Sequence, residues 1–274
     1  MSDKADVLIV IPARYHSSRL PGKPLAMIHG RTLLERVWQI SQHVVSEQGN
    51  IDVCVATEDQ RIVDYANQHD INVCLTSDQC QSGTARACET VKQLAHTADF
   101  IINLQGDNAL CPPWFLGQLI AAYRRAPSEA VYTPFVKLTW QTLDKLRQDK
   151  ARTPFSGTTV VYNRRNEALW FSKQIIPAIR DEEKLRQNQP LSPVARHIGL
   201  YGFHRRVLMN MPSLTTSTYG EYEGLEQLDF LENDVTINMV EVSYRDRQGM
   251  SGIDSPEDVE RAEQIIQRDG ELIA

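Results

Sequence analysis

The sequence is poor in several features that would each direct its reading elsewhere. It has no Walker spacing, no dinucleotide glycine fingerprint and no CxxC pair, which excludes the best-known nucleotide loops and the common zinc frameworks. Positive charge is in deficit: 29 Lys plus Arg against 35 Asp plus Glu give a formal net charge of −6. A polynucleotide partner needs a broad basic field, so nucleic acid is excluded as a main partner and any important cations must act locally. Long apolar runs are missing too, and the polar stretch Met1 to Asp6 does not read as a secretory leader or a membrane insertion, so a cytoplasmic protein is expected. The five cysteines Cys54, Cys74, Cys80, Cys88 and Cys111 are odd in number and scattered, which predicts reduced thiols rather than a disulfide framework. Cys54 and Cys74 lie in apolar runs and should pack as small hydrophobes. Cys80 and Cys111 fall in turns, where thiol reagents could reach them. No Ser/Gly-rich or Pro-rich linker divides the 274 residues, so one large α/β domain with a small β-rich appendage is expected.

What is present is alternation. Val7 to Ile11 is a short aliphatic run ending at Pro12 and reads as a buried strand. Arg31 to Ser46 has helical spacing, Asp52 to Thr57 reads as a strand, Asp59 can cap the next helix, and Ile71 to Leu75 is strand again. Such βαβα repetition predicts a mixed, mainly parallel sheet with helices on both faces. Ligands of these sheets bind beyond the carboxyl ends of the strands. The loop after Ile11 lies at such an end and carries Arg14, Arg19 and Lys23, stiffened by Pro21 and Pro24 around Gly22. Three cations there, with backbone amides and a nearby helix start, suit a triphosphate, although the same residues could be solvated cations on a turn.

Three more places carry chemistry. Ser82-Gly83-Thr84 precedes a helix over Ala85 to Ala95, where Ser or Thr suits a cap. Phe100 to Leu104 should be a buried strand delivering Gln105-Gly106-Asp107, and a carboxylate at a strand tip can hold Mg²⁺ against phosphate oxygens or simply start a turn. Asp254 precedes Ser255-Pro256-Glu257-Asp258, a strong helix start. The charged stretch Arg180 to Arg196 reads as a mobile loop and lid candidate, and Arg196 to Phe203 as one alternating strand.

PARYHSSRLPGKPL, at Pro12 to Leu25, resembles the signature loop of the 3-deoxy-manno-octulosonate cytidylyltransferases (CMP-Kdo synthetases), whose pattern is PAR, two residues, S, one residue, RLPGKPL. Further segments are similar in order: TSDQCQSGTAR, QGD, ALWFSKQIIP, RHIGLYGF, GLEQLDFLEN and GIDSPEDVE. The resemblance implies a Rossmann-like nucleotide-diphospho-sugar transferase fold, a nucleotide-binding half over residues 1–130, a sugar-acid and dimerisation half over 131–274, and a homodimer. It implies CTP and a 3-deoxy-ulosonic acid as substrates, Mg²⁺ as cofactor, and surface-polysaccharide synthesis as purpose. Arg14, Arg19 and Lys23 would act on the phosphates, and Ala13, Ser17, Ser82, Gly83, Thr84, Arg86 and Gln105 would line the nucleotide pocket. Asp107 and Asp254 would hold the metal, with Lys173, His197, Tyr201, Glu226 and Gln227 at the sugar acid. The chain departs from the family pattern at Cys80 (His), Ala85 (acidic), Asn108-Ala109 (Glu-Pro) and Lys173 (Arg). These departures leave two alternatives open: a cytidylyltransferase for a sialic-type or other anionic acceptor, and a CTP-binding paralogue without activity.

Overall fold

Val7–Pro12 (β1) is buried along its whole length, as its continuous aliphatic run requires for a strand covered on both faces. This is a computed structural model, and it describes residues 5–17 and 19–273; most of the Met1 to Asp6 stretch lies outside them. A short hairpin follows, Met27–Ile28 (β2) with Arg31–Thr32 (β3), and then Leu33–Gln48 (α1). Thr32 caps α1 by accepting from the Glu35 amide at 3.1 Å, and Gly49, at φ +59°, ends it. The alternation continues through Ile51–Thr57 (β4), Gln60–Gln68 (α2), Val73–Leu75 (β5), Gly83–Gln93 (α3), Phe100–Asn103 (β6) and Pro113–Arg125 (α4). Asp59 caps α2 as expected, accepting from the Arg61 amide.

The next stretch builds a second unit: Val131–Thr139 (β7), Trp140–Arg152 (α5), Thr159–Tyr162 (β8), Ala168–Ser172 (β9), Glu182–Asn188 (α6) and Leu191–His197 (β10). The chain then forms Tyr201–His204 (β11) and Arg205–Asn210 (α7), followed by Thr218–Glu223 (α8), Gln227–Glu232 (α9), Ile237–Glu241 (β12) and Pro256–Asp269 (α10). The two compact units are interleaved in sequence: residues 1–128, 200–212 and 244–274 form one, and 129–199 with 213–243 form the other. A cut at residue 130 therefore does not follow their boundary, because β11 and α10 return to the first unit.

In the first unit β1 pairs in parallel with β4 and β6, β4 with β5, and β11 adds antiparallel to β6. In the second, β10 is antiparallel to β7 and β8, β8 to β9, and β12 runs parallel to β7. Strand pairing is thus mixed, with most of the parallel pairs in the first unit.

Two expectations need correction. Arg180 to Arg196 is not an irregular loop but α6 and most of β10. Two of its charges are paired: Arg147 donates to both Glu182 oxygens at 2.8 Å, and Arg186 donates to Asp144 and Glu182. Arg196 to Phe203 is also two strands, since β10 ends at His197 and β11 begins at Tyr201.

Candidate active site

The loop leaving β1 takes its shape from its own backbone. The Gly22 amide donates to the Tyr15 carbonyl, Lys23 to Leu20 and Leu25 to Gly22, while the Leu20 amide donates to Ser17 Oγ. Gly22 sits at φ +69°, and a Cβ there would meet the Tyr15 hydroxyl at 3.2 Å, so a side chain is disfavoured on both counts. These amides brace the turn that carries the cationic side chains. Lys23 begins a 3-10 turn with Pro24 at its first positions, a compact mount for an ammonium.

Lys23 Nζ lies 3.2 Å from Asp107 Oδ2 and 3.1 Å from Asp254 Oδ1. Arg19 reaches the other oxygen of Asp254 at 3.1 Å from a side chain that is 66% exposed. Two glycines make this convergence possible. A Cβ on Gly106 would fall 2.3 Å from the Pro12 carbonyl, and one on Gly252 would fall 2.7 Å from the Asp107 carboxyl. The Ile253 amide donates to the Asp107 carbonyl at 2.9 Å, which pins the segment before α10 against the turn after β6. Ser255 and Asp258 form a reciprocal capping box, and the Asp258 carboxylate also accepts from the Asp254 amide. Burial pushes the Asp107 carboxyl above its ordinary range, with Lys23 opposing and Asp254 reinforcing.

The cleft beside these groups has a volume of about 320 Å³ and is lined by Pro12, Ala13, Arg14, His16, Ser17, Arg19, Lys23, Pro24, Gly83, Gln105, Gly106 and Asp107. Sequence reading missed Pro12, His16, Pro24 and Gly106 as lining residues; the last had a signal in the QGD turn, since a glycine there allows close backbone approach. Arg14 donates to the carbonyl of Cys80. That contact uses only the backbone of Cys80, so the departure at that position leaves it intact. Glu89 holds the same turn, accepting from the Ser77 amide at 2.6 Å and from Cys80 Sγ at 2.9 Å.

Two of the expected pocket residues face elsewhere. Thr84 and Arg86 are each 1% exposed: Thr84 accepts from the Asn103 amide group, and Arg86 pairs with Glu58 at 2.8 Å and donates to Thr76. A helix turns about 100° per residue, which carries Thr84 off the face of Gly83, whereas Arg86, one turn on from Gly83, is drawn inward by Glu58 and Thr76. Ser82 caps α3 through the Ala85 amide.

The expected sugar-acid residues fall in both units. In the second, Lys173 follows β9, and its amide donates to Glu223 Oε2 at 2.6 Å while Ser172 donates to Oε1 at 2.8 Å. Glu223 was not singled out in the sequence. Burial lowers the Lys173 ammonium below its ordinary value, opposed by Glu223. His197 is buried, its Nε2 2.8 Å from Thr133 Oγ1 and its ring edge-on to Phe171. Burial, then the Lys173 charge, push His197 down to about 3, so its imidazole is neutral near pH 7. Glu226 and Gln227 lie at the start of α9, Gln227 buried. Tyr201 belongs to the first unit, on β11 opposite Asn103.

Among the described residues, no helix is long and apolar enough to cross a membrane, and no three or more His, Cys, Asp or Glu side chains cluster as a ready metal cage. Asp107 and Asp254 still fit a hard cation: both offer carboxylate oxygens around one point, and Mg²⁺ is usually held by one or two carboxylates together with water and phosphate oxygens.

A family model described as Cytidylyltransferase matches residues 8–237. The 3-deoxy-manno-octulosonate cytidylyltransferase of Maricaulis maris is 43% identical over 267 residues, which cover 97% of this chain and 99% of that protein. A solved CMP:2-keto-3-deoxy-manno-octonic acid synthetase complexed with CTP aligns with a TM-score of 0.83 at 31% identity, covering 96% of this chain and 99% of its own. The 4-diphosphocytidyl-2C-methyl-D-erythritol synthase of Anaerococcus prevotii, at 14% identity and a TM-score of 0.56 over 96% of this chain and 98% of its own, shares the fold alone. Near-full-length identity and a cationic loop gathered with two carboxylates from distant segments lead to one assignment: the chain belongs to the 3-deoxy-manno-octulosonate cytidylyltransferase family.

Proposed function

We propose that this protein transfers CMP from CTP to 3-deoxy-manno-octulosonate or a close 3-deoxy-ulosonic acid, releasing pyrophosphate. The reading rests above all on one observation: Lys23, on the family's loop, stands between Asp107 and Asp254 at the edge of a cleft that also presents Arg14 and Arg19. The anomeric hydroxyl of the acid attacks the α-phosphorus, the bond to the β-phosphate oxygen breaks, and the hydroxyl proton passes to solvent. Charge grows on the departing pyrophosphate, where Arg14, Arg19 and Lys23 offset it. Gly83 and Gln105 give the nucleotide a flat approach, supported by the contact a Cβ at Gly83 would make with the Gln105 amide at 2.8 Å; Ala13 and Ser17 line the same wall. Asp107 and Asp254 would hold Mg²⁺, which when bound adds charge neutralisation at the phosphates.

In the second unit, Lys173 supplies the positive charge for the acid's carboxylate. His197, neutral, serves by hydrogen bonding and shape, and Glu226 and Gln227 complete the acceptor side of this unit. Leu169, Tyr219 and Tyr222 expose large apolar surfaces on this unit, with Trp170 edge-on to Tyr219; such surface supports the expected homodimer, and light scattering coupled to size exclusion tests it. Reduced, buried cysteines agree with a cytoplasmic setting, and the product would feed lipopolysaccharide or another surface polysaccharide. The deciding experiment measures pyrophosphate release from CTP and Mg²⁺ with a panel of ulosonic and sialic acids. Release with the octulosonate is expected. Binding of CTP with no release for any acid would leave a non-catalytic paralogue, and release only with another acid would move the acceptor assignment.

A further inference from the structure

In the second unit the ammonium of Lys150, in the last turn of α5, is surrounded by backbone oxygen. Its Nζ lies 2.6 Å from the carbonyls of Ser156 and Lys173, 2.8 Å from that of Gly157 and 3.3 Å from that of Pro154. An ammonium has three protons and no acceptor, so three short contacts use its donors and Pro154 is the loose fourth. Backbone carbonyls converging on one positive centre are also how proteins replace the water around a potassium ion. Here a lysine tip fills that place.

The chain segments joined by this contact are informative. The turn over 153–157 is already closed by the Ser156 amide on the Thr153 carbonyl and by a 2.8 Å contact between the Thr153 and Ser156 hydroxyls. Gly157 takes φ +67°, and a Cβ there would meet Leu146 at 3.2 Å, so the turn is shaped to present its carbonyls. Residue 173 is held at both of its peptide groups, its N–H by Glu223 and its C=O by Lys150. The direction in which the Lys173 side chain leaves the backbone is therefore fixed from two sides. The charged groups facing Lys150 are Lys173, Arg196 and Glu223. With two cations among its three charged neighbours, Lys150 has its direct hydrogen bonds to carbonyl dipoles.

We propose that Lys150 is a tethered monovalent cation, a positioning residue that locks the 153–157 turn to residue 173 and so aims Lys173 at the acceptor's carboxylate. This rests on the reading of Lys173 as an acceptor contact given above.

Lys150→Met keeps the stem and removes the charge, leaving the carbonyls to a dissolved ion. Its unfolding temperature and its steady-state constants are measured in chloride salts of K⁺, NH₄⁺, Li⁺ and tetramethylammonium at equal ionic strength. The KM for the octulosonate should rise about 10-fold or more while the KM for CTP holds, since a small misplacement can be that costly. K⁺ or NH₄⁺ should lower that KM again and raise the unfolding temperature, Li⁺ and tetramethylammonium should do neither, and wild type should show no such selectivity. Lys150→Arg keeps a charge whose planar fork does not match the carbonyls, so it should resemble the Met variant without the salt response. A wild-type-like Arg variant, or a Met variant blind to K⁺ and NH₄⁺ in both readouts, overturns the proposal. Should the Met variant not fold, Lys150→Ala with n-propylammonium supplies stem and head together, and lack of rescue counts the same way. Lys173→Met separates the two readings: an unchanged acceptor KM removes the acceptor role and the positioning built on it, while the K⁺-dependent unfolding temperature of Lys150→Met still decides the cage.

Discussion

Lys23 and Asp107 stand 84 positions apart in sequence, yet Nζ and Oδ2 are 3.2 Å apart, and Lys23 is only 16% exposed there. In the proposed reaction a cation so placed would meet developing phosphate charge in a partly dry site. Lys23→Ala should lower kcat by about 10²-fold or more, the usual cost of removing one donor aimed at a transition-state anion. Stopped pyrophosphate release checks this. A rise in KM for CTP with kcat unchanged would confine Lys23 to binding.

Asp107→Asn and Asp254→Asn should each remove most turnover while the protein stays folded. Because burial disfavours the charge on Asp107, Asp107→Asn should unfold no earlier than wild type in thermal melts at pH 7. Asp254 is held by the Asp258 box through its backbone, so its side chain too can change without loss of the helix start. Near-normal activity in either variant would take that residue out of the mechanism.

The parts of this site legible in sequence are those written in local order. The loop from Pro12 to Leu25, the turn at Asp107 and the capped helix after Asp254 each carry their own signals, and all three converge. What sequence could not supply is direction. Thr84 and Arg86 sit in a motif that suggested the pocket, but the partners Asn103 and Glu58 hold them inward. The charged stretch around α6 has the composition of a loop, and only the distant partners Asp144 and Arg147 show that Arg186 and Glu182 are paired. Glu223 and Lys150 were invisible for a related reason: both act on backbone atoms, and no side-chain pattern reports where carbonyls will converge.

All five cysteines are free and buried, which changes the expectation for Cys80 and Cys111. Burial, reinforced at Cys80 by the Glu89 carboxylate, pushes their thiols up to about 11 and about 12 respectively. The thiolate is the reactive form, so iodoacetamide at pH 7.5 should leave the native protein unmodified by intact mass, and denaturant should expose all five sites. Rapid native alkylation at Cys80 would show that the turn held by Glu89 opens.

His197 gives a pH dependence whose sign follows from its depressed value. The unfolded ring takes up its proton near pH 6.5, whereas the folded ring resists protonation until about 3. Stability from this group is therefore fully present above about 6.5 and declines as pH falls toward about 3, because only the unfolded state binds the proton. His197→Gln should flatten that part of the stability curve in urea titrations from pH 7 to 4. A wild-type imidazole resonance that titrates near 6.5 in the folded protein would show that the ring is not held neutral.

Under the proposed function, the acceptor choice turns on Lys173, where the family pattern has Arg. A guanidinium can grip a carboxylate with two parallel bonds, whereas an ammonium offers a point charge on a flexible stem. Here the stem is half-buried and Glu223 lies near enough to oppose the loss of proton affinity, so Lys173 already shares its charge with a neighbour. Lys173→Arg should lower the KM for 3-deoxy-manno-octulosonate by about 10-fold, the effect of one added charge-assisted hydrogen bond, and should weaken use of any acid that the wild type prefers. The comparison is run on the same panel of acids, with CTP saturating, so that only the acceptor step is read. If wild type already uses the octulosonate efficiently and the Arg variant is neutral toward every acid, position 173 does not set the acceptor.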